Sequence, residues 1–388
     1  MTSKNDIYFS KAHEQVRRAV RDFVNKEINP YVDEWEENGI APLKDLFKKM
    51  GDLGFLGLRY DEKYGGMGLD YWYELVFLEE IAHIQCGGVP MAIAVQTNMA
   101  TPAIDEFGSE YLKETYLAPA VKGDMVAAIA VTEPDAGSDV AALKSFARKE
   151  GDHYILNGSK TYITNGTQAD FLTLLARTSD EPGYQSFSLF VVPTDLEGFQ
   201  VSKKLDKLGM RSSDTAELFF DNVKIPAENL IGVEGQGFIQ QMTQLQHERF
   251  SALPLGYIGA LDVITETVEY LKRRIVFGKP LITKQVLRHR IAQWLTEAEA
   301  LKSLTYHIVQ MKMNKMDVTQ EISMGKLLSG QLINKVADGC LQMHGGMGFM
   351  NEMRISRVMR DAKLIGIGGG ANEVMCEIIS KTSDILSG

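Results

Sequence analysis

Between about Asp124 and Ile225 the chain breaks into short β-rich runs, and on either side of this zone the apolar residues recur with helical period. The runs cover roughly 125–131, 153–156, 161–164, 171–176, 186–192 and 216–220. The turn clusters Asn157-Gly158, Asn165-Gly166 and Glu181-Pro182-Gly183 separate them, and Pro226 closes the zone. Upstream, Val16, Val20, Phe23 and Val24 share one face of a first helix that Asn29-Pro30 stops. Further helices are predicted over about 43–53 and 71–84, with a glycine-rich loop at 64–68 between them. Downstream come long helical patterns over about 238–277, 283–313, 319–345 and 371–385. Helices, then strands, then helices do not fit alternating βαβ units. The order predicts an α+β, mainly α chain: an all-α domain over 1–123, a central β domain over 124–233 and a helical bundle over 234–388. It argues against a Rossmann unit, since Gly345-Gly346-Met347-Gly348 follows a helix rather than a strand.

At 388 residues the chain is long enough for this division and for a large core. Its formal charge of −10 argues against nucleic acid or an anionic membrane as partner. Cys86, Cys340 and Cys376 are far apart and form no CxxC, which predicts a reducing compartment: the cytoplasm of a bacterium, or the mitochondrial matrix in a eukaryote. No apolar run approaches the ~20 residues of a membrane span, and the histidines show no metal-binding spacing. Asp6 and Glu14 sit ill with a transit peptide, no apolar signal core opens the chain, and the terminal Ile-Leu-Ser-Gly is no peroxisomal address.

Four segments could carry chemistry. Val131-Thr132-Glu133-Pro134-Asp135-Ala136-Gly137-Ser138-Asp139 follows a strand and is dense in hydroxyls and carboxylates. Such a loop can present N–H and O–H groups to a polar ring or phosphate; the plain alternative is a turn capped by Ser138 or Asp139. Asn157–Gly166 reads as a hairpin plus a strand. Arg274-Ile275-Val276-Phe277-Gly278-Lys279-Pro280, with Gln285 beyond, offers a guanidinium for a diphosphate, or simply a basic helix end stopped by Gly278. Gln342-Met343-His344-Gly345-Gly346-Met347-Gly348-Phe349 and Ile367-Gly368-Gly369-Gly370-Ala371-Asn372-Glu373 cluster glycines, which implies tight turns or close backbone approach to a ligand.

Together and in this order, the segments resemble the acyl-CoA dehydrogenases over nearly the whole chain, from about Tyr8 to Ile385. The resemblance implies an N-terminal helical domain, a central β domain, a C-terminal four-helix bundle, FAD as cofactor, a homotetramer, and electron delivery to an electron-transfer flavoprotein. It implies that Val131, Thr132, Gly137 and Ser138 lie at the flavin and thioester end of the site. Tyr162-Ile163-Thr164 stands where the family usually has Trp-Ile-Thr, and the tyrosine still supplies an aromatic face; Thr164 would hydrogen-bond near flavin N5. Arg274, Phe277, Gln285, Gln342, Gly345 and Gly346 match positions that hold FAD, largely across a subunit interface, and Ala371 and Glu373 match a further cofactor contact. Ser138, Arg249 and Gly369 match the substrate side.

Dehydrogenation of an acyl thioester needs a base for the weakly acidic α proton, a donor for the enolate oxygen and a hydride acceptor. Many members carry the base as a glutamate near the C-terminus, where this chain has Gly369. The long-chain and isovaleryl-type members place it on the first long C-terminal helix, which here matches Glu248 in His247-Glu248-Arg249. The plain alternative for Glu248 is a solvated helix carboxylate; other candidate bases are Glu373 and Glu133. Gly369 keeps an N–H that can donate to the thioester carbonyl. Cys86–Ile93, the KLGMRSSDTA run and IGGGANE resemble bacterial citronellyl-CoA dehydrogenases, which implies a medium-to-long, methyl-branched acyl chain. The competing readings are a dehydrogenase of carrier-protein-bound acyl thioesters, a catalytically silent flavin- or thioester-binding homologue, and an oxygen-using acyl-CoA oxidase.

Overall fold

Helix α1 (Lys11–Phe23) starts where the sequence supplies both halves of a cap. Ser10 Oγ accepts from the His13 N–H at 3.4 Å, and His13 Nδ1 accepts from the Ser10 N–H at 2.9 Å. The computed structural model describes residues 7–386, so Asp6 and the last two residues of the chain lie outside the described residues. After Phe23 the chain passes through a π-helical turn (Val24–Ile28), and Asn29-Pro30 then tightens it into a 3-10 turn. The helices α2 (Val32–Asn38), α3 (Leu43–Asp52), α4 (Tyr71–Ile81), α5 (Gly88–Ala94), α6 (Pro102–Phe107), α7 (Glu110–Leu112) and α8 (Ala118–Val121) follow, with a second π turn (Val95–Ala100) after α5. Buried Arg17 of α1 meets Glu79 of α4 at 2.8 Å and Glu80 at 3.1 Å.

The sheet comprises β1 (Ala127–Ala130), β2 (Phe146–Glu150), β3 (His153–Thr164), β4 (Phe171–Arg177), β5 (Phe187–Pro193), β6 (Phe199–Lys204), β7 (Thr215–Pro226) and β8 (Leu230–Ile231). Their order is β6-β7-β3-β2-β4-β5-β8, with β1 parallel to β4. Two expectations need correcting. Asn157-Gly158 makes no hairpin: β3 runs straight through it, and the register against β7 slips between Leu156 and Gly158. Gly158 sits at φ 145° against the Ser145 side chain, where a Cβ has no room, so an apparent turn signal marks a bulge. Strands β2 and β6 carry no apolar alternation to announce them; β6 lies at the sheet edge with most of its residues exposed.

Helix α9 (Gly237–Arg273) runs 37 residues with Pro254 inside it. It ends before Phe277, earlier than the helical pattern predicts, because Ile275–Val276 (β9) and Lys279–Pro280 (β10) form a hairpin. Phe277 (φ 51°) and Gly278 (φ 76°) sit at its left-handed tip. Then come α10 (Gln285–Met313), α11 (Thr319–His344), α12 (Arg354–Ile365) and α13 (Asn372–Thr382). Helix α12 was not expected; its apolar buried set is only Ile355, Ala362 and Ile365, and basic residues fill much of the rest. Leu253, Tyr257, Ile322 and Val336 build the core between α9 and α11. Tyr257 and Tyr306 donate to Glu79 at 2.6 and 2.9 Å, tying this bundle to α4. Asp361 of α12 accepts from the Met210 N–H at 2.5 Å and the Gly87 N–H at 2.8 Å, so one carboxyl pins the sheet loop and the entry of α5 to the bundle. Burial pushes that carboxyl up to about 6. Among the described residues no helix is long and apolar enough to cross a membrane, and no His, Cys, Asp and Glu group is arranged to hold a metal ion.

Candidate active site

Glu248 lies on the bundle-facing part of α9, and Ser251 Oγ donates to its carbonyl at 2.7 Å within the helix. Its side chain keeps some accessible surface, yet protein surrounds it closely enough that burial raises the carboxyl above its ordinary value. The charges of Arg249 and Lys326 oppose that rise. Gly369 packs directly on the carboxylate: a Cβ built there would lie 3.1 Å from Glu248 Oε1 and 3.4 Å from Cδ. Arg249, matched by resemblance to the substrate side, is buried and donates from Nε to the Gly369 carbonyl at 2.9 Å. Lys326 of α11 donates from Nζ to the Gly370 carbonyl at 2.6 Å, and burial pushes its ammonium down to about 8. Sequence reasoning missed Lys326: one lysine on a helix is ordinary, and only its burial marks it. The Gly369 N–H meets no hydrogen-bond acceptor among the described residues. His247, next to Glu248, turns away to Glu106 at 2.8 Å.

The Val131–Asp139 loop is held from below. Lys160 Nζ donates to the Val131 carbonyl at 2.8 Å and reaches Glu133 at 2.9 Å, while the Thr161 N–H donates to the Thr132 carbonyl at 2.9 Å. Glu133 also accepts from the Lys144 N–H at 2.6 Å and the Ser145 N–H at 3.0 Å. Although burial opposes it, this set keeps the carboxyl below its usual range. Glu133 is therefore spent on Lys160 and on the backbone of Lys144 and Ser145, and makes a poor base. Gly137 and Ser138 stand exposed, and Val131 and Thr132 are half-buried. The 3-10 turn Val140–Ala142 has Asp139 at its N-cap without a side-chain hydrogen bond, so neither Ser138 nor Asp139 caps a helix as the plain alternative required. Tyr162 takes φ 61° where the β3–β7 register slips, and its ring stands 69% exposed while Ile163 turns into the core and Thr164 pairs with Thr215.

A third cluster forms at one end of the bundle. Tyr270 and His344 stack with centroids 4.2 Å apart, and Tyr270 donates to the His344 carbonyl at 3.2 Å. This contact sets the Arg274–Phe277 hairpin beside Gly345 and Gly346. Arg274, Gln285 and Gln342 are exposed there, and the Phe277 ring stands 91% exposed. Nothing lies within 4 Å of a Cβ built on Gly345, Gly346 or Gly278. Open glycines beside a solvent-facing aromatic ring suit a surface that something flat and polar covers. Among the described residues no hydrogen bond joins this cluster to the other two. Ala371 caps the backbone of α13, and Glu373 points outward from its first turn, away from burial. The structure thus gathers Glu248, Arg249 and Gly369 in one place, Val131–Ser138 with Tyr162–Thr164 in a second, and Arg274–Gln285 with Gln342–Gly346 in a third.

Three family models match the chain in sequence: "Acyl-CoA dehydrogenase, N-terminal domain" over residues 10–124, "middle domain" over 128–223 and "C-terminal domain" over 235–383. A relative named "Long-chain specific acyl-CoA dehydrogenase, mitochondrial" from Sus scrofa is 36% identical over 96% of this chain and 86% of its own length. The crystal structure of an acyl-CoA dehydrogenase from Geobacillus kaustophilus superposes with a TM-score of 0.94 at 37% identity, covering 99% of this chain and 100% of that one. A glutaryl-CoA dehydrogenase from Mycobacterium smegmatis, solved in complex with FADH2, superposes with a TM-score of 0.90 at 30% identity, covering 97% and 96%.

Proposed function

The chain belongs to the acyl-CoA dehydrogenase family, and on that footing we propose that Glu248 is the base with which it dehydrogenates an acyl-CoA thioester between the α and β carbons. The observation that carries this reading is the packing of Glu248 on Gly369. A half-buried carboxylate packed against the Cβ side of a glycine whose N–H meets no acceptor among the described residues puts a proton acceptor close to an oxyanion donor.

The residues present fit FAD. The exposed Tyr162 face beside the Val131–Ser138 loop suits the ring system, and Arg274 beside the open glycines Gly345 and Gly346 suits the diphosphate end. Bound FAD supplies the acceptor for the β hydride. The protein does the rest. The Gly369 N–H donates to the thioester carbonyl and draws charge toward its oxygen. Glu248 takes the α proton, so the α carbon gains the electron pair of the broken C–H bond. As the β hydrogen leaves with its own pair, the α pair forms the C=C bond of the trans-2-enoyl thioester. Val131, Thr132 and Ser138 hold the thioester end, and Thr164 steadies the acceptor.

The isolated third cluster supports assembly into a homotetramer, in which a second copy brings Arg274, Phe277 and Gln285 to a neighbour's cofactor. FAD held there would pass its electrons on to an electron-transfer flavoprotein, the partner that the family resemblance implies. Mixed anaerobically with a good acyl-CoA, the yellow protein should lose its flavin absorbance, and turnover should need a flavoprotein or one-electron acceptor. Robust turnover on NAD alone, or no bleaching with any of a panel of straight and branched acyl-CoAs, would contradict the reading. The same panel tests the expectation of a medium-to-long, methyl-branched substrate.

A further inference from the structure

Lys326 is 1% exposed, and its ammonium hydrogen-bonds a carbonyl, that of Gly370, rather than a carboxylate. It lies on a stripe of α11 that faces the last turn of α12 and the segment after it. One turn on, Gly330 faces Asn372 and Gly366, where a Cβ would crowd both. Another turn on, Asn334 donates to the Ala362 carbonyl at 2.9 Å. Residues four apart share a helix face, so Lys326, Gly330 and Asn334 form one surface that seats residues 362–370. Lys326 is the only charged member, and it sits at the end nearest Glu248.

We propose that Lys326 is a positioning residue for the proton transfer: tethered to the Gly370 carbonyl, its charge holds Gly369 against Glu248 and favours an ionised, unpaired Glu248 carboxylate. This rests on Glu248 being the base. A cation in direct contact with the carboxylate would occupy the lone pairs that must receive the proton. A cation one step removed, committed to a neutral carbonyl, favours the charged form and leaves those lone pairs open. Arg249 does the same from α9 through the Gly369 carbonyl. Among the described residues, the charged groups felt by Glu248 are Arg249 from its own helix and Lys326 from α11. Those felt by Lys326 are Glu248 and Arg249. Burial drives Glu248 toward the protonated form, so removing either cation moves its titration further upward.

The test compares wild type with Lys326→Met, Lys326→Gln and Lys326→Arg as FAD-loaded enzymes. Infrared difference titration, with Glu248→Gln as the blank, reads the carboxyl directly, and rapid mixing reads the acid limb of flavin reduction. Met and Gln should each move both upward by at least ~0.5 pH unit, the scale expected for a lost charge near a buried group. Arg should restore both. Gln keeps a donor for the Gly370 carbonyl, so it carries the test if the Met variant does not fold. A carboxyl that titrates as in wild type in the neutral variants overturns the proposal, whether or not the rate falls. A Glu248→Gln enzyme that reduces its flavin at the wild-type rate instead removes the base reading on which the proposal stands.

Discussion

Glu248 Oε1 lies 3.1 Å from the point that a Cβ on residue 369 would occupy, so the glutamate of α9 and a side chain at 369 compete for one volume. The glycine at 369 is thus the complement of the glutamate at 248. It also sits at φ 67°, which L side chains rarely adopt.

Gly369→Ala should therefore cost stability, about 1–2 kcal/mol from backbone conformation alone, and should also push Glu248 off its aim. Flavin reduction should slow more than FAD content falls. Gly369→Glu in a Glu248→Gln background should not restore activity, because the left-handed backbone and the clamped carbonyls of residues 369 and 370 fix the new side chain's direction. Thermal unfolding and stopped-flow absorbance check both, and restored reduction in the double variant would contradict the account.

Arg274→Ala should weaken FAD affinity at least ~10-fold, since a guanidinium gives a diphosphate both charge and bidentate geometry. Its exposed place at the hairpin base gives it little role in the fold of the single chain, so unfolding of the FAD-free protein should barely change. Full FAD occupancy with unchanged affinity in dilution experiments would remove Arg274 from the cofactor site.

Glu133→Gln removes the counter-charge of fully buried Lys160, whose ammonium burial already pushes down to about 8 and which only Glu133 holds up, a change worth up to about 3–5 kcal/mol. The sign with pH follows from Glu133 being held below its ordinary range in the fold. Its stabilising contribution is complete above the ordinary carboxylate value and is lost as pH falls through the depressed one. Denaturant unfolding should show the largest gap between wild type and variant at neutral pH, shrinking in acid. A gap that widens in acid would contradict the assignment.

Much of this was legible in the sequence, and the misses have physical causes. The helix–strand–helix order follows from hydrophobic period alone, whereas Glu248 was picked out only by the family resemblance, which matches it to one known base position and Gly369 to the other; nothing in the local pattern of α9 marks it. Asn157-Gly158 misled because a bulge and a hairpin ask for the same backbone freedom; only the Ser145 side chain pressed on Gly158 tells them apart. The α9 pattern ran on into Ile275-Val276 because apolar spacing does not register that Phe277 turns left-handed. Lys326 was invisible because burial belongs to the packing of α11 on residues 362–370, which no local pattern encodes. Glu133 stayed in play as a base until its three partners were located.

The central claim is that Glu248 takes the α proton. Glu248→Gln keeps the size and hydrogen-bonding shape of the side chain but cannot accept a proton at neutral pH. Rapid anaerobic mixing of the FAD-loaded variant with the best acyl-CoA should show flavin reduction slowed at least ~100-fold, with FAD content and acyl-CoA affinity nearly unchanged. Flavin reduction at the wild-type rate in that variant would contradict the account.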